Sequence, residues 1–187
     1  MTKKHVLKLL ESWGWQIRRD EVGDYFAKLQ LSDREVSVAP NWRRLIGEYK
    51  FSLLPSVMTE EFSYISDNIH DSRVGARLVT MWNALKIQKV NITDDDIKSL
   101  ADQALDWARA QSLQDALEKH AALPTDAKGV RPVYHLSSLV ILGDIETLEY
   151  YKSCFEQGDR LGFVPYITKD YIDRAYALAL KRSESSS

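Results

Sequence analysis

Apolar residues behind Thr2 recur one helical turn apart, so Val6, Leu9, Leu10 and Trp13 predict a helix over residues 2–13. Gly14 stops it, because a residue without Cβ enters the left-handed region at no steric cost. From Trp15 the period drops to two. Trp15, Ile17 and Arg19 alternate with Gln16 and Arg18, Val22-Gly23-Asp24 turns the chain, and Tyr25, Ala27, Leu29 and Leu31 share one face of a second strand. Ser32-Asp33-Arg34 makes the next turn. Val36 and Val38 mark a third strand that ends at Pro40, and a fourth runs from about Leu45 to Leu54 with Tyr49, Phe51 and Leu53 on one face. Short turns between successive strands predict an antiparallel meander.

Thr59-Glu60-Glu61 opens a helix with a capping hydroxyl and two acids in the first turn, and Phe62, Ile65 and Ile69 give it an apolar stripe. Residues 72–92 admit two readings. Val74, Ala76 and Leu78 alternate as in a strand, with Ile87, Val90 and Ile92 as another, and a helix from Val74 to Leu85 competes.

From Thr93 onward the pattern is helical. Thr93 before Asp94-Asp95-Asp96 is an N-terminus, and Ile97, Leu100, Ala101, Ala104, Leu105 and Ala108 form a core-facing stripe. Ser112 caps a helix carrying Leu113, Ala116, Leu117 and Ala121, and residues 123–129 form a loop. Pro132 suits a first helical turn. The nearly all-apolar run from His135 to Leu142 predicts a helix buried on most sides, closed by Gly143. Asp144 caps the next helix, with Ile145, Leu148, Tyr151 and Phe155 on one face. Thr168 caps the last, with Ile172, Ala175, Tyr176 and Ala179.

Sheet-forming residues thus come first and helices follow, which predicts an α+β fold: an N-terminal helix and antiparallel meander sheet packed against a C-terminal all-helical half. The expected organisation is a single compact domain, with an α/β lobe over about 1–92, a helical lobe over about 93–182 and a frayed tail at 183–187.

Composition narrows the class. A hydrophobic fraction of 44% and a charged fraction of 28% over 187 residues are those of a globular chain that needs no staple. One cysteine, Cys154, allows no internal disulfide and fits a reducing compartment. Lys8 and Glu11 interrupt the apolar start, so it does not read as a signal peptide, and no run is long enough to span a membrane. The expectation is a cytoplasmic protein with no membrane partner. A net charge of -2 argues against a direct nucleic-acid partner, although a local basic patch is compatible with it.

Candidate chemistry is sparse. Asp94-Asp95-Asp96 splay around a helix axis, which suits complementing the helix N-terminus better than ligating a cation. His5, His70, His120 and His135 lack a partner at metal-binding spacing, and Cys154 lacks a Cys or His neighbour. The chain has no nucleophile elbow, phosphate loop or dinucleotide fingerprint among its 8 glycines. No catalytic, cofactor or metal residue is assigned. Trp42-Arg43-Arg44 with Arg18-Arg19 combines an aromatic with cations, as in a phosphate or base site, or as in a solvated hairpin end.

The segment from His135 to Leu148 superficially resembles one ankyrin unit, but no second copy follows at that period. The wider pattern carries more. Gly158-Asp159-Arg160-Leu161-Gly162-Phe163-Val164-Pro165-Tyr166-Ile167-Thr168 leads into Tyr171-Ile172-Asp173-Arg174-Ala175, and with the Leu142-Gly143-Asp144 turn it resembles small immunity proteins of bacterial contact-dependent growth inhibition systems. The resemblance covers roughly the last third of the chain. It implies a non-enzymatic cytosolic inhibitor, without cofactor, that neutralises a cognate toxin domain by a tight complex. Where the toxin is a basic nuclease, acids would face it, and Glu60, Glu61, Asp67, Asp71, Asp94 and Asp95 are the exposed candidates. Trp42 and Trp82 are the candidate aromatic anchors. Three other readings stand beside this one: a secretion chaperone or adaptor, a small enzyme or nucleotide-binding protein with its site at the lobe junction, and a nucleic-acid binder, which would need a contiguous basic face.

Overall fold

In a computed structural model of the chain, residues 2–20, 23–71 and 77–185 are described. Helix α1 (Lys3–Ser12) is capped by the Thr2 hydroxyl, which accepts from the His5 N–H. Strands β1 (Gln16–Arg19), β2 (Tyr25–Gln30), β3 (Glu35–Arg44) and β4 (Tyr49–Met58) follow, then α2 (Glu60–His70), β5 (Leu78–Met81) and β6 (Leu85–Lys89). The chain ends in α3 (Asp94–Ala110), α4 (Leu113–Ala121), α5 (Arg131–Leu142), α6 (Ile145–Glu156) and α7 (Lys169–Ser185). The fold is α+β: an N-terminal helix, a six-stranded antiparallel sheet and a C-terminal helical half.

The sheet runs β1-β2-β3-β4-β5, with β6 also paired to β4. Two strands differ from expectation, and both differences involve proline. β3 does not stop at Pro40 but continues to Arg44, and β4 spans Tyr49–Met58 with Pro55 inside it, rather than ending at Leu54. Proline cannot donate to a ladder, so it needs a place where a strand lacks a neighbour. Pairing between β2 and β3 ends at Ala27 with Val38, so Pro40 lies where β3 has only β4 beside it. On β4, β6 reaches Leu53 and β5 begins at Ser56, so Pro55 falls in the gap between them.

The competing helix over Val74–Leu85 gives way to β5 and β6, while the part of either reading that rests on Val74 and Ala76 lies outside the described residues. So does the Val22 end of the first turn. The tail expected to fray from residue 183 is helical as far as Ser185.

Contacts divide the chain into two compact units, and the division does not follow the expected boundary near residue 93. One unit comprises residues 1–59 and 78–111, the other 60–77 and 112–187. The first therefore contains α3 as well as the sheet. Ile97, Leu100, Ala101, Ala104 and Ala108 of α3 join Val6 and Leu10 of α1 and Val36, Val38, Phe51, Leu53 and Val57 of the sheet as its buried apolar residues. Thr93 and Asp96 form a reciprocal capping box at the start of α3. At its end, Arg34 donates to the carbonyls of Ala108 and Gln111.

In the second unit α2 packs on α5 and α7. Ile65 and Ile69 of α2 share a core with Leu136, Val140, Leu148, Ile167 and Ile172. The Ser66 and Ser137 hydroxyls meet at 2.9 Å in that core, and Arg174 Nε donates to the Ile69 carbonyl at 2.8 Å.

Candidate functional site

One end of the sheet carries a group of exposed aliphatic side chains. β3 and β4 are joined by a tight turn in which the Leu45 N–H donates to the Glu48 carbonyl at 2.9 Å, and Gly47 takes the left-handed φ of 78° that the turn demands. The turn projects Ile46 entirely into solvent and leaves Leu45 partly exposed. Val90 follows Lys89, the β6 residue paired with Tyr49, so it stands at the same end and is 74% exposed. Three aliphatic side chains thus project from one sheet end. Arg43 and Arg44 flank them on β3.

Alternation then sorts the sheet into two faces. Trp42, Phe51 and Ile87 share the core face, where Trp42 rests against Tyr49 and Phe51 at 5.3 and 5.9 Å between ring centroids. The opposite face carries Arg43 directly across from Lys50, Asn41 across from Ser52, and Lys86 on the other side of Ser52. These side chains line a pocket of about 250 Å³ together with Ala84. A larger trough of about 480 Å³ adjoins it through Asn41, Ser52 and Ala84 and extends past Ala39 and Leu54 to Lys3, Asp24 and Tyr25.

The eight residues expected to bind a partner divide evenly between the two units. Trp42, Trp82, Asp94 and Asp95 belong to the first, and Glu60, Glu61, Asp67 and Asp71 to the second. Several are already occupied. Asp94 accepts from His5 at 2.9 Å, Asp67 pairs with Arg77 at 3.1 Å, and Glu61 pairs with Arg182. Asp71 is exposed and holds a left-handed φ of 56° at the end of α2. Glu60 and Asp95 are exposed in the first turns of α2 and α3. Trp82 is stacked on Trp107 and keeps 36% of its surface exposed.

The basic cluster differs in membership from the sequence reading. Arg18 and Arg19 are held locally on β1, by the Gln16 side chain and the Gly23 carbonyl, each at 2.9 Å. Strand register instead places Lys50 directly across from Arg43, and Lys86 diagonal to Lys50 on the other side of β4. Nothing in sequence spacing marks that grouping. Ile46-Gly47 between two strands was the one readable sign of the exposed turn, and the strand pattern beginning at Leu45 absorbed it.

Titratable chemistry in the second unit is inward. His135 is buried, with Nδ1 3.3 Å from the His120 carbonyl and Nε2 3.1 Å from the Tyr151 hydroxyl. A carbonyl only accepts, so Nδ1 carries the proton and Nε2 accepts from Tyr151. Burial pushes the His135 pKa below its ordinary value and that of Tyr151 above its own. In the first unit, the Lys89 ammonium, together with the Thr93 N–H, holds the Asp96 carboxyl below the usual range. Among the described residues no group of three or more His, Cys, Asp or Glu side chains is placed to hold a metal ion, and no helix is long and apolar enough to cross a membrane.

Fold and surface together define an α+β protein whose sheet ends in an exposed aliphatic turn beside a cationic face. Residues 2–180 match the model of a family of unknown function, DUF6990, and the chain belongs to that family. No curated protein and no solved structure matches the chain.

Proposed function

We propose that this chain is a non-enzymatic protein-binding protein, and that its partner is a toxin domain which it neutralises by forming a tight complex. The observation that carries the binding role is the sheet end: Leu45, Ile46 and Val90 are exposed aliphatic groups flanked by Arg43 and Arg44. An apolar centre with a charged rim is the anatomy of a protein interface, since water leaves the centre on docking and the rim sets orientation. A two-residue turn between paired strands also presents this surface at little conformational cost on binding. The immunity role within that class rests on the C-terminal pattern from Gly158 to Ala175. The test is capture of the tagged chain's partner from its own organism's lysate under a high-salt wash. Co-expression of this chain with the toxic domain of the captured protein then restores growth.

A secretion chaperone is the second reading, favoured by one observation. Beyond Val38, β3 has no β2 neighbour, and an unpaired strand edge can receive an extended client segment. Such a protein would bind an unfolded stretch and leave growth inhibition by the folded partner unchanged.

A further inference from the structure

Arg43 and Lys50 occupy directly opposed positions on β3 and β4, and Lys86 lies diagonal to Lys50 across β4 and β6. Like charges opposed across a ladder repel, and each such pair weakens a sheet unless something neutralises it. Here no carboxylate does so: among the described residues none of the three makes an ion pair. Glu48, in the turn before Lys50, instead accepts from Gln88. The three cations instead line the pocket of about 250 Å³ together with Ser52 and Asn41.

The whole chain is acidic at -2, yet this unit is not. By sequence, residues 1–59 and 78–111 hold 14 Lys and Arg against 12 Asp and Glu, a net of +2. Residues 60–77 and 112–187 hold 11 against 15, a net of -4. The unneutralised cluster therefore sits in the basic unit, which favours an anion's approach.

We propose that the pocket formed by Arg43, Lys50, Lys86, Asn41 and Ser52 is a binding site for a small ligand carrying a phosphoryl or pyrophosphoryl group. The arginine fork and two ammonium groups supply charge-assisted donors from three adjacent strands, and Ser52 and Asn41 add neutral ones. Cross-strand neighbours on one face stand about 5 Å apart and diagonal ones about 7 Å, a span that one or two phosphoryl groups bridge. The adjoining trough gives the ligand's body a direction. Its floor is small where Ala39, Ser52 and Ala84 line it, and Tyr25 and Leu54 offer apolar contact. At the far end Lys3 stands with Asp24, whereas the near pocket holds three cations and no acid, so the charged head points toward Arg43. This site stands independently of the toxin reading.

The test is calorimetric titration of the full chain with pyrophosphate, and with sulfate and chloride at matched ionic strength. Lys50→Met and Lys86→Met are the site variants. Lys181→Met is the control, on an exposed position of α7. The expected result is saturable pyrophosphate binding that each site variant weakens about tenfold or more, the scale of one lost charge-assisted contact, with the control unchanged. Pyrophosphate binding no stronger than chloride, or equal in all variants, overturns the proposal. So does saturable binding of a short single-stranded oligonucleotide that pyrophosphate fails to displace, because the surface would then recognise a polymer backbone. Far-ultraviolet circular dichroism of each variant confirms that it is folded before titration.

Discussion

Trp82 lies flat against Trp107, with ring centroids 5.5 Å apart and planes inclined by 13°. One ring comes from the connection between β5 and β6 and the other from α3, so the stack ties the return of the chain to the helix that covers the sheet. Trp107→Ala should remove the coupled tryptophan signal from the near-ultraviolet circular dichroism spectrum. It should also lower unfolding free energy by about 1 kcal/mol or more, the worth of an aromatic pair beyond its buried area. An unaltered spectrum would mean that the rings are not stacked in solution.

Arg34 is the anchor of the α3 C-terminus. Its Nη1 donates to the Gln111 carbonyl at 2.6 Å and to the Ala108 carbonyl at 3.0 Å, the latter also accepting from the Gln111 N–H, and so adds donors where the helix ladder runs out. Arg34→Met keeps much of the stem and removes the donors, and should cost about 1–3 kcal/mol in urea unfolding. Asp33→Asn should cost far less, because its ion pair with Arg34 is open to water on the carboxylate side.

His135 makes stability depend on pH. Its folded pKa lies below the ordinary value of 6.5, so between that value and the depressed one the unfolded chain binds more protons than the folded chain. Stability from this residue is present above about pH 6.5 and is lost as pH falls below it, with a limiting slope of about 1.4 kcal/mol per pH unit. Protonation of Nε2 would also abolish its acceptor role toward Tyr151. Denaturation at pH 7.5 and 5.5 should therefore show a loss in the wild-type chain that His135→Gln reduces.

Much of this architecture is readable in the sequence, and the failures share a cause. The Thr93–Asp96 cap and the Gly143–Asp144 junction are local: a hydroxyl, an acid and a glycine at fixed offsets decide them. The prolines mislead because their tolerance depends on which neighbouring strand is missing, and Pro40 and Pro55 each sit opposite a gap in pairing. Placement of α2 with α5 and α7 is equally non-local, since its stripe of Phe62, Ile65 and Ile69 would suit any apolar surface. Lys86 lies far along the chain from the Arg43–Lys50 hairpin pair, and only strand register sets it diagonal to Lys50. Glu61, Asp67 and Asp94, expected to face a partner, take up partners within the chain through the same kind of tertiary contact.

The exposed turn separates folding from binding. Ile46 buries nothing in the isolated chain, so Ile46→Asp should leave stability within about 0.5 kcal/mol of wild type. A charge placed at the centre of an apolar interface should nonetheless weaken partner binding by about 100-fold or more, the scale of a hot-spot loss.

The most direct measurement is growth of cells expressing the toxic domain of the captured partner, with the wild-type chain, with Ile46→Asp, or with neither. The account predicts arrest without the chain, growth with wild type, and renewed arrest with the folded Ile46→Asp variant. Arrest in the presence of the wild-type chain would contradict the toxin-neutralising role, and equal rescue by both forms would contradict the place assigned to the β3–β4 turn.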